Sequence, residues 1–371
     1  MEFFFWLNYI NLHQSAFITA LAARENTEVT LLAETRMMKK RSTNGWDVPE
    51  LENVKVIIKP DDALIKSIIL NSDKDSLHIF HGMHYPQSIP KALSFAILNK
   101  RRTAIWSEPY HWKGAKGYLR FLRTIYHRLK YDKGISFLLP TGNKGTELLL
   151  KAGHPRKKIF EWGYFTQKIY SETYPSTPTF NIGYVGHLIK RKGVDYLLNA
   201  VAELGNQDVS INIVGEGPFK NELEEIVKNK LLRNVHFHKF MKYGEACRFM
   251  GMQDLFVLPS RLDGWGAVVN EALMQGTPVI CSDDCGASVL LNEQNGGGVF
   301  KGGSVSSLAQ LIDKRVQLGK LGTEERNRIK EWAACISTES AVDYFFEIIA
   351  HTFDNCARPT PPWRTTSAVH V

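Results

Sequence analysis

Two carboxylates eight positions apart, Asp263 and Glu271, lie in the stretch of this chain best suited to hold a ligand, Leu258–Ser282, LPSRLDGWGAVVNEALMQGTPVICS. It reads as strand, polar loop, helix, Gly-Thr-Pro turn and strand. Asp263 lies just before the helix and Glu271 about two turns into it, so both can point toward one end of a pocket. A carboxylate takes two or more hydrogen bonds at once, which suits it to sugar hydroxyls. Gly264 and Gly266 let the backbone come close to a ligand. The free N–H groups where that helix opens suit an anion such as phosphate. The competing reading is that Asp263 only caps the helix and Glu271 is solvated.

The elements that must position these residues alternate from end to end. In the first half, strands are expected at Glu2–Leu7, Glu28–Ala33, Val54–Ile58, Leu77–His81, Thr103–Ser107 and Ser136–Leu139. Helical patterns lie between them at Ser15–Arg24, Ala63–Leu70 and Gly117–Tyr131. The pattern lapses near Phe165, and YSETYPSTPT (Tyr170–Thr179) reads as a linker. A second alternation starts at Asn181. Its strands are NIGYVG, Val209–Val214, Val235–His238, Leu255–Leu258 and Pro278–Ser282. Its helices are Val194–Leu204, Phe219–Lys228, Gly244–Gly251 and one ending at Gln275. Helical stretches around Ser306–Leu318, Thr323–Ala334 and Thr338–Thr352 close the chain. This is α/β order with parallel sheets. Two doubly wound, Rossmann-like domains in tandem are expected to face each other across a cleft, with ligands outside the carboxyl ends of the strands. The expected division is 1–166 for the first domain, 167–179 for a linker and 180–337 for the second. A returning helix at 338–353 and a disordered tail at 354–371 complete it.

Length and composition fit this division. A chain of 371 residues points to two domains, and 44% apolar with 23% charged residues is ordinary for a globular protein. No run approaches the ~20 apolar residues of a spanning helix, and MEFFFWL lacks the parts of a signal peptide. Five sparse cysteines argue against a disulfide framework and for a reducing cytosol. The formal charge of +8 speaks of partners: an anionic ligand, a nucleic acid or an anionic membrane surface.

The Leu258–Ser282 stretch resembles the E-x7-E region of the retaining GT-B glycosyltransferases of group 1, or family 4, whose pattern is roughly P-S-x-x-E-G-F/W-G-x-x-x-x-E-A-x-x-x-G-x-P-V. Pro259, Ser260, Gly264, Trp265, Gly266, Glu271, Ala272, Gly276, Pro278 and Val279 match, and Asp263 stands where Glu is usual. The resemblance implies that Asp263 contacts the donor sugar and Glu271 the nucleotide ribose, with Gly264, Trp265, Gly266 and Ala267 around the donor. A second element, Gly186–His187–Leu188–Ile189–Lys190–Arg191–Lys192–Gly193, resembles the family's G-R-L-x-x-x-K-G, with His187 in place of Arg. It implies Lys192 as the main ligand of the leaving diphosphate, with His187 weaker and Arg191 or Lys190 supplying charge. Val214–Pro218, containing Gly215 and Glu216, resembles V-G-x-G-P, and Val235–Phe237 followed by Phe240 resembles the segment that reads the base. Ser282–Asp283, Cys285–Ala287 and Asn295–Gly298 resemble the pocket wall and the following loop.

Neutralisation by a helix N-terminus and basic side chains needs no metal, and no metal or other cofactor is expected. Asp73–Lys74–Asp75 is the D-x-D pair near a strand, and NSDKDS reads as a solvated turn. The acceptor is expected at three loops of the first domain: Asn11–Gln14 with His13, His81–His84, and Glu108–His111. Glu108 is the first choice of base, because a carboxylate there can accept a hydroxyl proton. His84 joins it as a catalytic candidate, and His13 and His81 as acceptor-side residues. The resemblance implies a retaining reaction, with same-face attack assisted by the departing phosphate. The segment His111–Lys133 carries Lys113, Lys116, Arg120 and Arg123 among its bases, with Leu119, Leu122, Ile125, Tyr126 and Leu129 at helical spacing. A basic amphipathic helix of this kind reads as a membrane-surface element or as an ordinary helix with a charged face. RNA signatures are missing, and no nucleic-acid partner is expected.

The sequence reading is therefore a metal-independent, retaining glycosyltransferase in the cytoplasm, peripheral to the membrane. It moves a sugar from a UDP- or GDP-sugar to a glycan or lipid-linked acceptor in surface polysaccharide or glycolipid synthesis. A non-catalytic nucleotide- or glycan-binding protein of the same fold, or a sugar-nucleotide epimerase of related fold, remains the alternative.

Overall fold

The computed structural model describes residues 1–36, 50–84, 88–110, 114–167, 178–205 and 209–365. The chain divides into two compact units, Met1–Thr166 with Thr338–Val371, and Gln167–Ser337. The linker expected at Tyr170–Thr179 falls almost wholly outside the described residues, as does Lys113.

In the first unit β1 (Glu2–Tyr9), β2 (Glu28–Thr35), β3 (Val54–Ile58), β4 (Leu77–His81), β5 (Arg102–Ser107) and β6 (Phe137–Pro140) form one parallel sheet in the order β3-β2-β1-β4-β5-β6. The near-continuous apolar run of β1 marks a strand covered on both faces, and Phe3 to Leu7 are all buried. One face packs Trp6, Phe80, Ile105 and Leu138 against the helices Asp62–Asn71 and Ser88–Leu98. The other packs Phe3, Phe17 and Phe137 against Phe345, a residue of the helix Thr338–Phe353. Trp162 lies against Phe17, Phe345 and Tyr344 on this face.

In the second unit β7 (Phe180–Val185), β8 (Val209–Val214), β9 (Val235–His238), β10 (Leu255–Leu258), β11 (Val279–Ser282) and β12 (Gly298–Phe300) follow the order β12-β11-β10-β7-β8-β9. Numbered within its own unit, each sheet runs 3-2-1-4-5-6. The strand order reverses between β1 and β4 in one sheet and between β7 and β10 in the other. In such sheets the crevice at that reversal, at the strands' carboxyl ends, is where ligands bind.

Several expectations need correction. Asn295–Gly298 reads as loop in the sequence, whereas Gly298 opens β12, and pairing with β11 makes β12 the edge strand. The helices Ser88–Leu98 and Gly142–Lys151 were not singled out. The tail expected to be disordered from 354 is ordered through Thr365. Arg358 donates to the carbonyls of Lys157 and Ile159 and lies 4.3 Å over the Phe160 ring, and Trp363 is buried against Phe165.

Glycines set how closely the loops of the second unit approach. Gly193 has φ +69°, and a Cβ there would lie 2.0 Å from the Pro259 carbonyl oxygen. A Cβ on Gly215 would lie 1.9 Å from the Gly186 carbonyl oxygen. Neither neighbour can yield, because each is backbone. Gly193→Ala is therefore expected to lower stability by about 2–4 kcal/mol, read as a lower urea midpoint with unchanged slope. A midpoint equal to wild type would show that the Gly193–Pro259 approach does not hold the loop.

Candidate functional site

The loops leaving β7 and β10 meet at the reversal of the second sheet. The Arg261 amide donates to the Arg191 carbonyl at 2.8 Å, and the Arg191 guanidinium donates to the Leu262 carbonyl at 2.6 Å. The Arg261 guanidinium is bidentate on Asp195 and lies 4.0 Å over the Tyr196 ring. This double tie brings Lys192 to Asp263: the ammonium donates to Oδ2 at 2.5 Å, with both side chains less than a fifth exposed. The Ser260 hydroxyl donates to the same oxygen at 3.4 Å. Asp263 is thus not a helix cap. The residue before the helix Val268–Met274 is Ala267, and the carboxylate is held by a cation. The charge on Asp263 and deep burial together raise the Tyr184 phenol well above its ordinary range, burial being the larger cause.

The acid loop is backed by the turn Cys285–Ala287. The Asp263 amide donates to the Asp284 carbonyl, the Gly286 amide to the Asp263 carbonyl, and the Ala287 amide to the Trp265 carbonyl. The Cys285 thiol donates to the Trp265 carbonyl at 2.7 Å. Gly266, at φ +94°, leaves no room for a Cβ, which would lie 2.6 Å from Cys285 Sγ. Trp265 is buried, and its indole N–H donates to Asn270 Oδ1 at 2.8 Å. The helix that follows has seven residues, so loop amides and Lys192, rather than a long helix dipole, are what this site offers an anion.

Glu271 is 6% exposed, which removes the solvated reading. Burial pushes its carboxyl from 4.5 up to about 7. Its charge acts on two neighbours in the helix Tyr243–Gly251. Burial and then Glu271 raise the Tyr243 phenol, and the same two causes lift the Cys247 thiol to about 12. Other expected donor residues are spread around this edge. His187 is exposed and its carbonyl accepts from the Tyr184 hydroxyl. Glu216 is exposed and its carbonyl accepts from the Leu188 amide. The Gly215 amide is bound to the His238 carbonyl, and Phe240 is half-exposed. Gly264 packs its carbonyl against Gly286, where a Cβ would come within 2.1 Å.

In the first unit Glu108 and His13 are brought together by Tyr164, a residue the sequence reading missed. The Tyr164 hydroxyl donates to Glu108 Oε1, and its ring stacks on His13 with centroids 5.1 Å apart. His81 lies close enough for the Glu108 charge to oppose the burial that lowers its imidazole pKa. His84 does not join them. Its Nε2 accepts from Arg123 at 2.9 Å, and its ring lies 6.0 Å from His127. Burial, then Arg123 and Arg120, lower its pKa. Lys116 and Arg120 are exposed on the same helix as Arg123. Tyr164 had no motif to reveal it. It is placed because Ile159 and Trp162 form parallel bridges with Leu138 and Thr141, so the chain runs beside β6 to the strand ends.

Asp73–Lys74–Asp75 lies before β4, at the opposite end of its sheet from these loops, and Asp75 is paired with Arg102 at 2.5 Å. Among the described residues no group of three or more His, Cys, Asp or Glu is arranged to hold a metal ion.

The raised Glu271 pKa has a stability consequence. Holding the carboxyl protonated favours the folded chain most below the ordinary value of 4.5, and that advantage is lost as pH rises through about 7. Glu271→Gln is expected to gain about 2–3 kcal/mol on the wild type between pH ~5 and pH ~8, measured by urea unfolding. A difference that does not change with pH would mean that Glu271 ionises freely.

Comparison with known proteins bears on the same region. The model of the family described as glycosyl transferases group 1 matches residues 170–334. The α-D-kanosaminyltransferase of Streptomyces kanamyceticus is 25% identical over 217 residues, 54% of this chain and 55% of that protein. The O-antigen biosynthesis glycosyltransferase WclY of Escherichia coli is 34% identical over 102 residues, 27% of this chain and 28% of its own. The chain thus spans about half or less of the length of these relatives. The crystal structure of Anabaena HepE in complex with UDP shares the fold, with TM-score 0.70 at 15% identity, over 96% of this chain and 100% of that one. The chain therefore has the GT-B fold, and residues 170–334, almost the whole of its second unit, match the model of the group 1 glycosyl transferases.

Proposed function

We propose that this protein is a retaining, metal-independent glycosyltransferase that takes a sugar from a nucleoside diphosphate and transfers it to a glycan or lipid-linked acceptor in surface polysaccharide synthesis. The observation that carries this reading is the Lys192–Asp263 pair at the strand-order reversal, inside the family-matched region. The Lys192 ammonium rests on the Asp263 carboxylate. A diphosphate offers a stronger anionic partner. When Lys192 turns to it, Asp263 is released to accept hydrogen bonds from the sugar. Arg191 and the amides around Gly264–Ala267 add positive potential as the phosphate leaves. Glu271 accepts from the ribose. UDP is the preferred nucleotide, supported by the relative HepE, which has been crystallised with UDP and with UDP-glucose.

On the acceptor side, Glu108 receives the proton of the attacking hydroxyl, and Tyr164 holds that carboxylate in place through its phenol. The acceptor oxygen bonds to the anomeric carbon on the face from which the phosphate departs, so the configuration is kept. No nucleophilic side chain is required. The O-antigen role of WclY supports a polysaccharide pathway.

Calorimetry with UDP and with GDP, in the presence of EDTA, tests the donor half. One nucleotide is expected to bind, and Lys192→Ala to weaken it by roughly 10–100-fold, the value of a charged hydrogen bond. Binding of neither would favour the non-catalytic alternative, and unchanged affinity in the variant would remove Lys192 from the diphosphate. The acceptor half is tested by Glu108→Gln, expected to lower turnover by about 10²–10⁴-fold with nucleotide affinity unchanged. Nucleoside diphosphate released only when acceptor is present separates transfer from epimerisation.

A further inference from the structure

The helix Gly114–Tyr131 is mounted with its leucines outward. Its buried residues are Gly117, Thr124, His127 and Tyr131. Tyr118, Leu119, Leu122, Tyr126 and Leu129 are exposed, Leu129 at 73% and Leu119 at 66%. At about 100° per residue these five fall on a single arc of roughly 100°. Lys130, Arg123 and Lys116 follow along the next part of the circumference, with Arg120 beyond. The helix contains no acidic residue, and Asp132 just after it is engaged by His154 and Lys158. Leu98, at the end of the helix Ser88–Leu98, is also 77% exposed. A contiguous apolar surface of this kind, rimmed by charge, marks an interaction site.

We propose that this face docks flat on an anionic lipid surface, with the apolar arc in the acyl boundary and Lys116, Arg123 and Lys130 on headgroup phosphates. Charge selects the occupant. A second copy of the chain meeting this face symmetrically would set the same basic rim against itself, whereas anionic lipid attracts each basic residue near its surface. The arc and its rim have the form of a helix lying in the interface plane. Among the described residues no helix is long and apolar enough to cross a membrane, so the contact is from one side. This inference goes beyond the transfer reaction and stands without it.

Sedimentation of the full chain with vesicles tests it. The protein is expected to pellet with phosphatidylglycerol–phosphatidylcholine vesicles and to stay in solution with phosphatidylcholine alone. The double variant Leu119→Gln, Leu129→Gln is expected to bind the anionic vesicles about tenfold more weakly, with the same thermal unfolding as wild type, since both side chains are exposed. Lys116→Glu with Lys130→Glu is expected to remove the preference for phosphatidylglycerol. Wild-type protein left in the supernatant, or leucine variants that pellet like wild type, would overturn the proposal. So would a wild-type dimer that the leucine variant converts to monomer without any vesicle binding.

Discussion

Gly193 can lie against the Pro259 carbonyl only because it has no side chain, and the Lys192–Asp263 site follows from that contact. The approach lets the loop after β7 and the loop after β10 exchange hydrogen bonds through Arg191, Arg261 and Leu262. Only then does a lysine on one loop reach a carboxylate on the other. The pairing is local in space and remote in sequence, Lys192 and Asp263 lying 71 positions apart. Similar backbone packing, at Gly215 against Gly186 and at Gly286 against Gly264, fixes the rest of the rim. The chemistry of the site therefore depends on residues that have none of their own.

Around that frame the charges are held in unequal surroundings. Asp263 keeps a cation at hydrogen-bond distance, while Glu271 is buried and its carboxyl is driven toward neutrality. Two acids from one motif thus stand in different surroundings. In the proposed reaction one exchanges its partner, and the other gains hydrogen bonds that offset its burial before it can remain ionised near neutral pH. In the first unit the corresponding economy is geometric: a tyrosine donates to Glu108 and stacks on His13, so an exposed carboxylate is held without a salt bridge among the described residues.

Much of this was legible in the sequence, and the reasons differ by element. Strands such as Val54–Ile58 and Val209–Val214 were readable because β-branched residues are bounded by turn signals on both sides. Asp263, Glu271 and Lys192 were singled out because the stretches around them resemble the family's motifs, and the structure brings Lys192 to Asp263. Tyr164 was hidden, because its place depends on a chain segment running beside β6 through isolated bridges, with no pattern of its own. β12 was hidden because three residues after a glycine run carry no periodicity. The outward face of the Gly114–Tyr131 helix was ambiguous for another reason. Helical spacing shows that Leu119, Leu122 and Leu129 share a side, and only the packing of Gly117, Thr124 and Tyr131 shows which side faces water.

The first unit draws its core from both ends of the chain. Phe345 closes the face formed by Phe3, Phe17 and Phe137, and Arg358 and Trp363 seal the strip at Phe160 and Phe165. On a ribosome those late residues emerge after the whole of the second unit, Gln167–Ser337. The unit made first is thus the one finished last, with aromatic surface waiting for its cover while the intervening domain closes. The core of the first unit is completed only after the second has been made, and until then Phe3 of β1 and Phe137 of β6 lack their cover, the kind of exposed apolar surface that invites misassembly.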